Sequence, residues 1–358
     1  MRTTTLISLY LLLRLSISAV AGQVLNPSDF ATTVQEYVQG GAVPIDTITG
    51  FPGFPFNNPA TALGRPTVDT TGDGWDTGSP FSPVPVVVVS PAFRYFEVVS
   101  IGEGGHLTLK FDHHVLDDPK NPCGLDFIIF GNSFQHTTGG SWTNGDPNQT
   151  WVSATVAKEP GVVSVSQDGN TWFTFPAPAG PFADDFAPTL GRIYDPAHPD
   201  TSLGPWNLWW SIPTDPTRPL NPGLTPTSFA GLSVAEVAQL YNDSAGGTAF
   251  DIGELGLDRI RYVRIDNPVG SGRSPEIDAV ADIGPNPVPP DFDCDMDVDD
   301  DDLDFFLSCA TGPGIGPAAP GCQQADFDDD NDVDMADFGV IQRCLSGADV
   351  PARRECAQ

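Results

Sequence analysis

The sequence predicts a mainly β protein: an antiparallel β-sandwich followed by a small C-terminal α-helical domain built from two loop–helix repeats. Glycine (37 residues) and proline (36 residues) are abundant among the 358 residues, and their combined share is well above the roughly 12% of average proteins. Short runs of valine, threonine and phenylalanine separate these turn residues, as expected for strands. Aspartates at alternate positions occupy the last fifth of the chain, which indicates a second, smaller domain there.

The first 21 residues have the pattern of an export signal. Arg2 precedes the apolar stretch Leu6–Ile17, and Ala19-Val20-Ala21 stands before Gly22. Signal peptides combine a basic start, a short apolar run and a small-residue cleavage site. Because the run is too short to span a bilayer, we expect residues 1–21 to be removed and the protein to be secreted, either extracellular or at the cell surface.

Residues 22–284 alternate between strand-like runs and turns. The dipeptide Asp168-Gly169 between two such runs is a strong hairpin signal. A helix is predicted at Val234–Tyr241, with Ser233 as its N-cap. Many short strands with Pro-rich loops favour an antiparallel sandwich. The predicted strands are Val86–Ser90, Phe96–Ile101, His106–Phe111, Asp126–Phe130, Trp151–Ala157, Val162–Ser166, Thr171–Phe175, Arg259–Asp266 and Ile277–Ile283.

Four segments of this region carry a resemblance to a known domain type: Pro59–Pro66, Val99–Asp112, Leu125–Asn132 and Leu257–Ile265. They resemble the opening and later core strands of galactose-binding-like jelly-roll domains in bacterial cell-surface proteins. The resemblance implies a jelly-roll β-sandwich over residues 22–284. It also implies a recognition domain, with carbohydrate as the expected ligand class.

The segment 285–290 reads Pro-Asn-Pro-Val-Pro-Pro and is the predicted linker. Proline-rich segments favour extended, stiff spacers. The linker divides the sandwich from a C-terminal domain over residues 291–358.

Charge is distributed unevenly along the chain. The whole sequence has 16 basic and 47 acidic residues, a net charge of −31. Residues 291–358 hold 18 of the acidic residues and 3 of the basic ones, and so carry −15. Nucleic acids and anionic membrane surfaces repel such a protein and are excluded as partners. Cations are the expected ligands.

The C-terminal domain contains an internal repeat with a period of 35 residues. Each copy places carboxylates at positions 1, 3, 5, 7, 9 and 12 of a loop, and the register continues through Cys309 and Cys344. The first copy has Asp291, Asp293, Asp295, Asp297, Asp299 and Asp302, and the second has Asp326, Asp328, Asp330, Asp332, Asp334 and Asp337.

This spacing predicts two Ca²⁺ sites. Neighbouring carboxylates repel one another unless a cation lies between them. Calcium accepts six to eight oxygen ligands, and a 12-residue loop supplies them from these positions. We expect side chains at positions 1, 3, 5 and 12, a backbone carbonyl at 7, and direct or water-mediated contact at 9. Apolar residues at helical spacing follow each loop, as in Leu303, Phe306 and Leu307, so each loop should lead into a helix.

The duplicated EF-hand-type loop–helix unit over residues 291–347 resembles a type I dockerin. The resemblance implies a cohesin-like or other cell-surface scaffold protein as partner. Two features depart from the family pattern. Position 6, normally Gly, is Met296 or Asn331. Asn tolerates the left-handed conformation required there whereas Met is costly, so the first site is expected to be weaker or differently shaped. Positions 10 and 11, often Ser or Thr in dockerins, are Asp300-Asp301 and Met335-Ala336. An acidic disordered tail and a thrombospondin-type calcium repeat are the alternative interpretations.

Six cysteines are consistent with an oxidising compartment. They allow 15 pairings. Similar separations make Cys309–Cys322 and Cys344–Cys356 the first-choice disulfides, which leaves Cys123 and Cys294 over.

No catalytic motif is apparent in residues 22–284: the sequence has no nucleophile elbow, paired-histidine zinc motif or phosphate-binding glycine loop. Four weaker candidates for catalysis, metal binding or sugar binding also have structural interpretations. They are an acid–base pair of Glu97 and Glu103, the histidines His113 and His114, a metal loop at Asp69, Asp73 and Asp76, and a sugar-stacking surface at Trp206, Trp209 and Trp210. A structural role is favoured for the histidines, the Asp69 loop and the tryptophans.

The sequence therefore predicts a secreted, modular, calcium-binding protein. Its dockerin-like domain would tether a recognition domain to a scaffold or cell-surface partner during polysaccharide capture or catabolism. The alternatives are a dockerin-tethered glycoside hydrolase or polysaccharide lyase, and a structural envelope protein whose tail calcium makes rigid.

Overall fold

The structure is a computed structural model. It describes residues 25–46, 53–71, 83–140, 142, 146–176, 180–197, 209–210, 212–348, 350–353 and 356–357. The predicted export signal lies outside this part of the chain, as do Asp73, Asp76 and Trp206. Among the described residues, no helix is long and apolar enough to cross a membrane.

The chain is mainly β, with three short α-helices over the described residues. In the first half the strands are β1 (Thr33–Val38), β2 (Ile45–Asp46), β3 (Phe54–Pro55), β4 (Asp69–Thr71), β5 (Pro83–Pro85), β6 (Val99–Ser100), β7 (His106–Leu116), β8 (Phe127–Gly131), β9 (Phe134–Gly139) and β10 (Trp151–Ala157). They are followed by β11 (Val162–Ser166), β12 (Phe173–Thr174), β13 (Arg192–Ile193), β14 (Ile212–Pro213), α1 (Val234–Leu240), β15 (Thr248–Phe250), β16 (Arg259–Asp266), β17 (Glu276–Asp282), α2 (Asp300–Cys309) and α3 (Met335–Cys344).

Two antiparallel sheets form the framework. One has five strands in the order β1-β7-β16-β11-β12, and the other has four in the order β15-β8-β17-β6. In the first sheet Val263 of β16 pairs with Leu109 of β7, and in the second Val280 of β17 pairs with Ile129 of β8. These four side chains belong to one buried cluster. The two sheets therefore pack face to face, and the predicted mainly β, antiparallel class is confirmed.

Strand β8 is buried on both faces. Phe127 packs in the core between the sheets, where its ring stacks on Phe250 at a centroid distance of 4.7 Å. The alternate side chains Ile128 and Phe130 point to the other face and pack against Phe30 and neighbouring residues. Successive strand residues face opposite ways. A wholly apolar strand such as β8 is therefore covered by apolar side chains on both faces.

A second apolar cluster surrounds the predicted helix. Helix α1 begins after Ser233, whose hydroxyl accepts the Glu236 N–H while the Glu236 carboxylate accepts the Ser233 N–H. This reciprocal cap satisfies two backbone donors that the first helical turn leaves free. Trp210 is inaccessible to solvent in this cluster and Trp209 packs against it, so both tryptophans have core roles.

Two predicted strands were wrong over part or all of their length. At Val86–Ser90 the chain makes a tight turn, closed by reciprocal hydrogen bonds between Val87 and Ser90. In Phe96–Ile101 the strand is limited to Val99–Ser100, because the Glu97 carboxylate accepts backbone N–H groups and fixes a turn. A side chain that satisfies the backbone locally removes the need for a strand partner.

The hairpin predicted at Asp168-Gly169 is confirmed by the antiparallel pairing of β11 with β12. Its second strand is shorter than predicted. The Asp168 side chain accepts the N–H groups of Asn170 and Thr171, and so holds the start of that predicted run in the turn.

Candidate metal centre

The two acidic loops end in helices that begin in the same way. Asp299 and Asp334, at position 9, are the N-caps of α2 and α3. Their carboxylates accept the N–H groups of Asp301 at 2.8 Å and Ala336 at 2.7 Å. Capping side chains and the helix dipole both favour aspartate there. The predicted loop–helix arrangement is thus present in both copies.

Position 12 closes each loop with a pair of hydrogen bonds. Asp302 accepts the N–H of Phe292 at 2.6 Å and that of Asp299 at 2.9 Å. Asp337 makes the equivalent bonds 35 residues later, at 2.7 and 2.9 Å. Since an ionised carboxylate offers about four lone-pair sites, these bonds orient the group and leave acceptor capacity for a cation.

Positions 4 and 6 adopt left-handed backbone conformations in both loops. At position 6, φ is +87° for Met296 and +72° for Asn331, which confirms the expectation from the loop pattern. At position 4, φ is +63° for Cys294 and +59° for Asp329. Position 4 was not predicted from the sequence, since cysteine gives no signal for a left-handed residue.

The carboxylates converge in groups that could hold metal ions. Each group contains three carboxylate oxygens lying within 4.8 Å of one another. Of the residues predicted from sequence, only Asp295 lies outside such a group. The groups are Asp291, Asp293 and Asp302; Asp297, Asp299 and Asp302; Asp326, Asp328 and Asp330; and Asp332, Asp334 and Asp337.

The two loops arrange these groups differently. In the first loop Asp302 belongs to both groups, whereas in the second loop the groups share no residue. Because of Met296, the first site is expected from sequence to be weaker or differently shaped. The arrangement of the carboxylates agrees with a different shape.

Two carboxylate oxygens in the loops are buried and accept no hydrogen bond within the described structure. They are Oδ1 of Asp291, a residue 9% exposed, and Oδ1 of Asp332, a residue 4% exposed. Burial, followed by the charge of Asp302, raises the pKa of Asp291 to about 7. A buried, unsatisfied carboxylate oxygen is costly, and a cation in the loop would remove that cost.

The donor set fits a hard cation. Carboxylate and backbone oxygens suit Ca²⁺ and Mg²⁺, whereas thiolates and imidazoles would favour zinc or other transition metals. Cys294 lies within the first loop, but its sulfur is held in a disulfide. The residues that would hold the ions are those predicted at positions 1, 3, 5, 9 and 12, together with the position 7 backbone.

Reciprocal hydrogen bonds join the two loops. Val298 at position 8 donates to Oγ of Ser346 at 3.0 Å, and its carbonyl accepts the Ser346 N–H at 2.9 Å. Val333, the equivalent residue, makes the same pair of bonds with Thr311 at 3.0 and 2.9 Å. Thr311 follows α2 and Ser346 follows α3, so each loop is held by the segment after the other loop's helix.

Two of the three disulfides begin at equivalent positions of the two repeats. Cys309–Cys322 and Cys344–Cys356 are both present, which confirms the two predicted pairings. The two remaining cysteines, Cys123 and Cys294, are bonded to each other across a sequence separation of 171 residues. This third disulfide joins the sandwich to position 4 of the first loop.

The weaker sequence candidates have structural partners. Glu97 is buried, accepts the Thr70 hydroxyl at 2.8 Å, and has a pKa raised to about 7 by burial. Glu103 is half-buried and accepts two backbone N–H groups of the loop at 270–272. Asp69 pairs with Arg192, with an Nε–Oδ1 distance of 2.7 Å, and His113 lies 2.8 Å from Asp282.

One group of carboxylates in the sandwich was missed from sequence. Asp117, Asp126 and Asp251 meet within the same distance limit as the loop groups. Asp126 is inaccessible, accepts the N–H groups of Ile252 at 2.9 Å and Asp118 at 3.2 Å, and has a pKa raised to about 7 by burial. Both of its oxygens are satisfied by the protein, and the chain separation of these residues gives no local signal.

No family model matches the chain, and neither a curated protein sequence nor a solved structure matches it.

Proposed function

We propose that the protein is a secreted calcium-binding protein whose C-terminal loops hold two Ca²⁺ ions. The observation that supports this most strongly is the recurrence of one loop frame after 35 residues. The same positions supply the left-handed turns, the helix cap and the closing carboxylate. An acidic segment without a ligand has no physical reason to repeat this frame around converging carboxylates, since their mutual repulsion opposes it.

We further propose that the C-terminal domain is dockerin-like and tethers a jelly-roll recognition domain. Positions 10 and 11 of both loops are accessible: Asp300, Asp301 and Ala336 are exposed, and Met335 is 70% exposed. A scaffold or cell-surface protein would bind there, and carbohydrate is the proposed ligand class of the sandwich. The three disulfides support an oxidising, extracellular location.

Calcium titration of the full chain tests the metal proposal. Isothermal titration should show about two ions bound, with dissociation constants on the order of 10⁻⁴–10⁻³ M as in extracellular calcium modules. The matched variant Asp291→Asn/Asp326→Asn changes position 1 of both loops and should bind much more weakly. Absence of calcium binding by the unmodified chain would contradict the proposal.

Turnover assays separate the tether from its alternative. A dockerin-tethered glycoside hydrolase or lyase would degrade at least one member of a polysaccharide panel. The proposed recognition protein would bind a polysaccharide without degrading it, and calcium-dependent capture of a cell-surface protein would support the tethering role.

A further inference from the structure

One short segment of the sandwich contacts both acidic loops. This segment, residues 120–123, lies between β7 and β8. Cys123 forms the disulfide with Cys294, at position 4 of the first loop. The Lys120 ammonium pairs with the carboxylate of Asp329, at position 4 of the second loop, and donates to the carbonyl of Asp326 at 2.8 Å. Equivalent positions of the two loops are thus held by one segment.

The segment is itself fixed to the sandwich core. Asp118 accepts the Lys120 N–H at 2.9 Å. The inaccessible carboxylate of Asp126, at the start of β8, accepts the Asp118 N–H at 3.2 Å and the Asn121 side chain at 3.4 Å. A cleft of about 310 Å³ separates the neighbouring parts of the sandwich from the loops. The disulfide and the lysine contact are therefore direct connections between the loops and the sandwich, in addition to the chain at 285–290.

Position 4 is a sensitive place to hold a cation-binding loop. It stands between the ligands expected at positions 3 and 5 and has a left-handed conformation in both loops, and in the second loop Asp328 and Asp330 converge on either side of it. Without a cation, repulsion among the carboxylates favours opening of the loop. Opening changes the backbone at position 4, and so moves the groups that contact Lys120 and Cys123.

We propose that calcium occupancy of the two loops is transmitted to the sandwich through segment 120–123. This inference rests on the proposed calcium binding. The C-terminal domain is seated on the sandwich, and Lys120 and Cys123 act as positioning residues that hold both loops near their cation-binding form. Coupling between two sites is reciprocal. The contacts of segment 120–123 therefore raise the calcium affinity of the loops by the same factor by which calcium stabilises the segment.

Amide hydrogen exchange of the full chain measures both ends of this connection. In the unmodified protein, calcium should slow exchange in peptides from the loops and also in a peptide spanning residues 117–126. The expected slowing of exchange in the 117–126 peptide is about tenfold, within the range typical of coupled sites.

The disconnected variant Lys120→Met/Cys123→Ser/Cys294→Ser removes both contacts. Its loop peptides should still respond to calcium, the 117–126 peptide should not, and calcium affinity should fall about tenfold. Lys120→Met alone keeps the disulfide and should weaken the response partially. Lys158→Met is the matched control, because it breaks an ion pair with Asp185 within the sandwich and should change neither response.

The outcomes distinguish the two proposals. If the loops of the unmodified chain do not respond to calcium, the proposed function fails and this inference fails with it. If the loops respond and the 117–126 peptide does not, only the transmission is overturned. A persistent response of that peptide in the disconnected variant also overturns it.

Discussion

Selected buried aspartates of the sandwich and of the acidic loops differ in how their oxygens are satisfied. In the sandwich, Asp126 and Asp278 are almost inaccessible, and protein donors satisfy their oxygens. Burial raises their pKa values to about 7 and about 8, so protons can supply the compensation there. In the loops, Asp291 and Asp332 keep a buried oxygen with no hydrogen bond among the described residues, and carboxylates face carboxylates.

The two regions also differ in apolar core. The main cluster between the sheets has 22 buried residues, whereas the main cluster of the C-terminal domain has five, including Phe306, Val333 and Ile341. Apolar burial contributes about 25 cal/mol per Å², so the sandwich has the larger intrinsic source of stability. This difference predicts that the sandwich folds without ions, and we expect the C-terminal domain to depend on its disulfides and on the proposed cation.

The largest expected effect is loss of calcium binding and helical order in the C-terminal domain alone. Asp337→Ala removes the closing carboxylate of the second loop and the acceptor for two N–H groups. We expect loss of the second ion and of most of the calcium-dependent helix signal in circular dichroism. Asp302→Ala should cost about tenfold less in calcium affinity, because Met296 already strains the first loop by about 1–2 kcal/mol.

Isothermal titration of both variants tests this ranking. The control is Asp300→Ala, which changes an exposed residue at position 10 and should leave affinity unchanged. Equal losses would show that Met296 is harmless, and a greater loss for Asp302→Ala would reverse the order of the sites.

The next largest effect is a loss of stability of the sandwich core. Phe127 is inaccessible and stacks on Phe250, so Phe127→Ala should lower the free energy of unfolding by about 3–5 kcal/mol. The loss should be similar in calcium and in chelator, as measured by urea denaturation. A loss confined to chelator would mean that the sandwich also depends on calcium for its core.

A pH series sharpens the comparison of the aspartates. Burial raises the pKa of Asp278 from 3.8 to about 8, so the folded state binds more protons than the unfolded state between these values. The stabilisation by the protonated group is complete below pH 4 and is lost as pH rises through about 8. In chelator, Asp278→Asn should reduce this downward slope by up to about 1.4 kcal/mol per pH unit.

Urea denaturation at a series of pH values measures that slope. Asparagine retains the shape needed to bond the N–H and hydroxyl of Thr67, the partners of Asp278. An unchanged slope in the variant would show that Asp278 does not take up the proton.

The smallest expected effect concerns the strained turn. Met296→Gly should improve calcium binding by the first loop by about 1 kcal/mol, or about fivefold, because glycine adopts positive φ without steric cost. Asn331→Gly is the matched change in the second loop and should gain less, since asparagine tolerates this conformation. Calcium titration compares them, and an equal gain would remove the proposed difference between the loops.

Local patterns in the sequence sufficed for much of the molecule. The strands at His106–Phe111 and Arg259–Asp266, the capped helix α1, the hairpin and the two disulfides within the repeat were all predicted, as were the residues that form the acidic groups of the two loops. Each depends on neighbours in the chain: alternation for strands, Ser233 and Glu236 for the cap, and alternate aspartates for the loops. Propensity, periodicity and capping depend on residues a few positions apart, so they can be recognised directly in the sequence.

Contacts between distant residues could not be predicted from the sequence. The sequence left Cys123 and Cys294 over, and the fold brings them together from 171 residues apart. It also places Lys120 on the second loop and links Val298 to Ser346. The shortened strand at Val99–Ser100 has a similar origin, since a buried Glu97 bonded to Thr70 fixes the preceding turn. Such contacts depend on the path of the whole chain, so no local pattern encodes them.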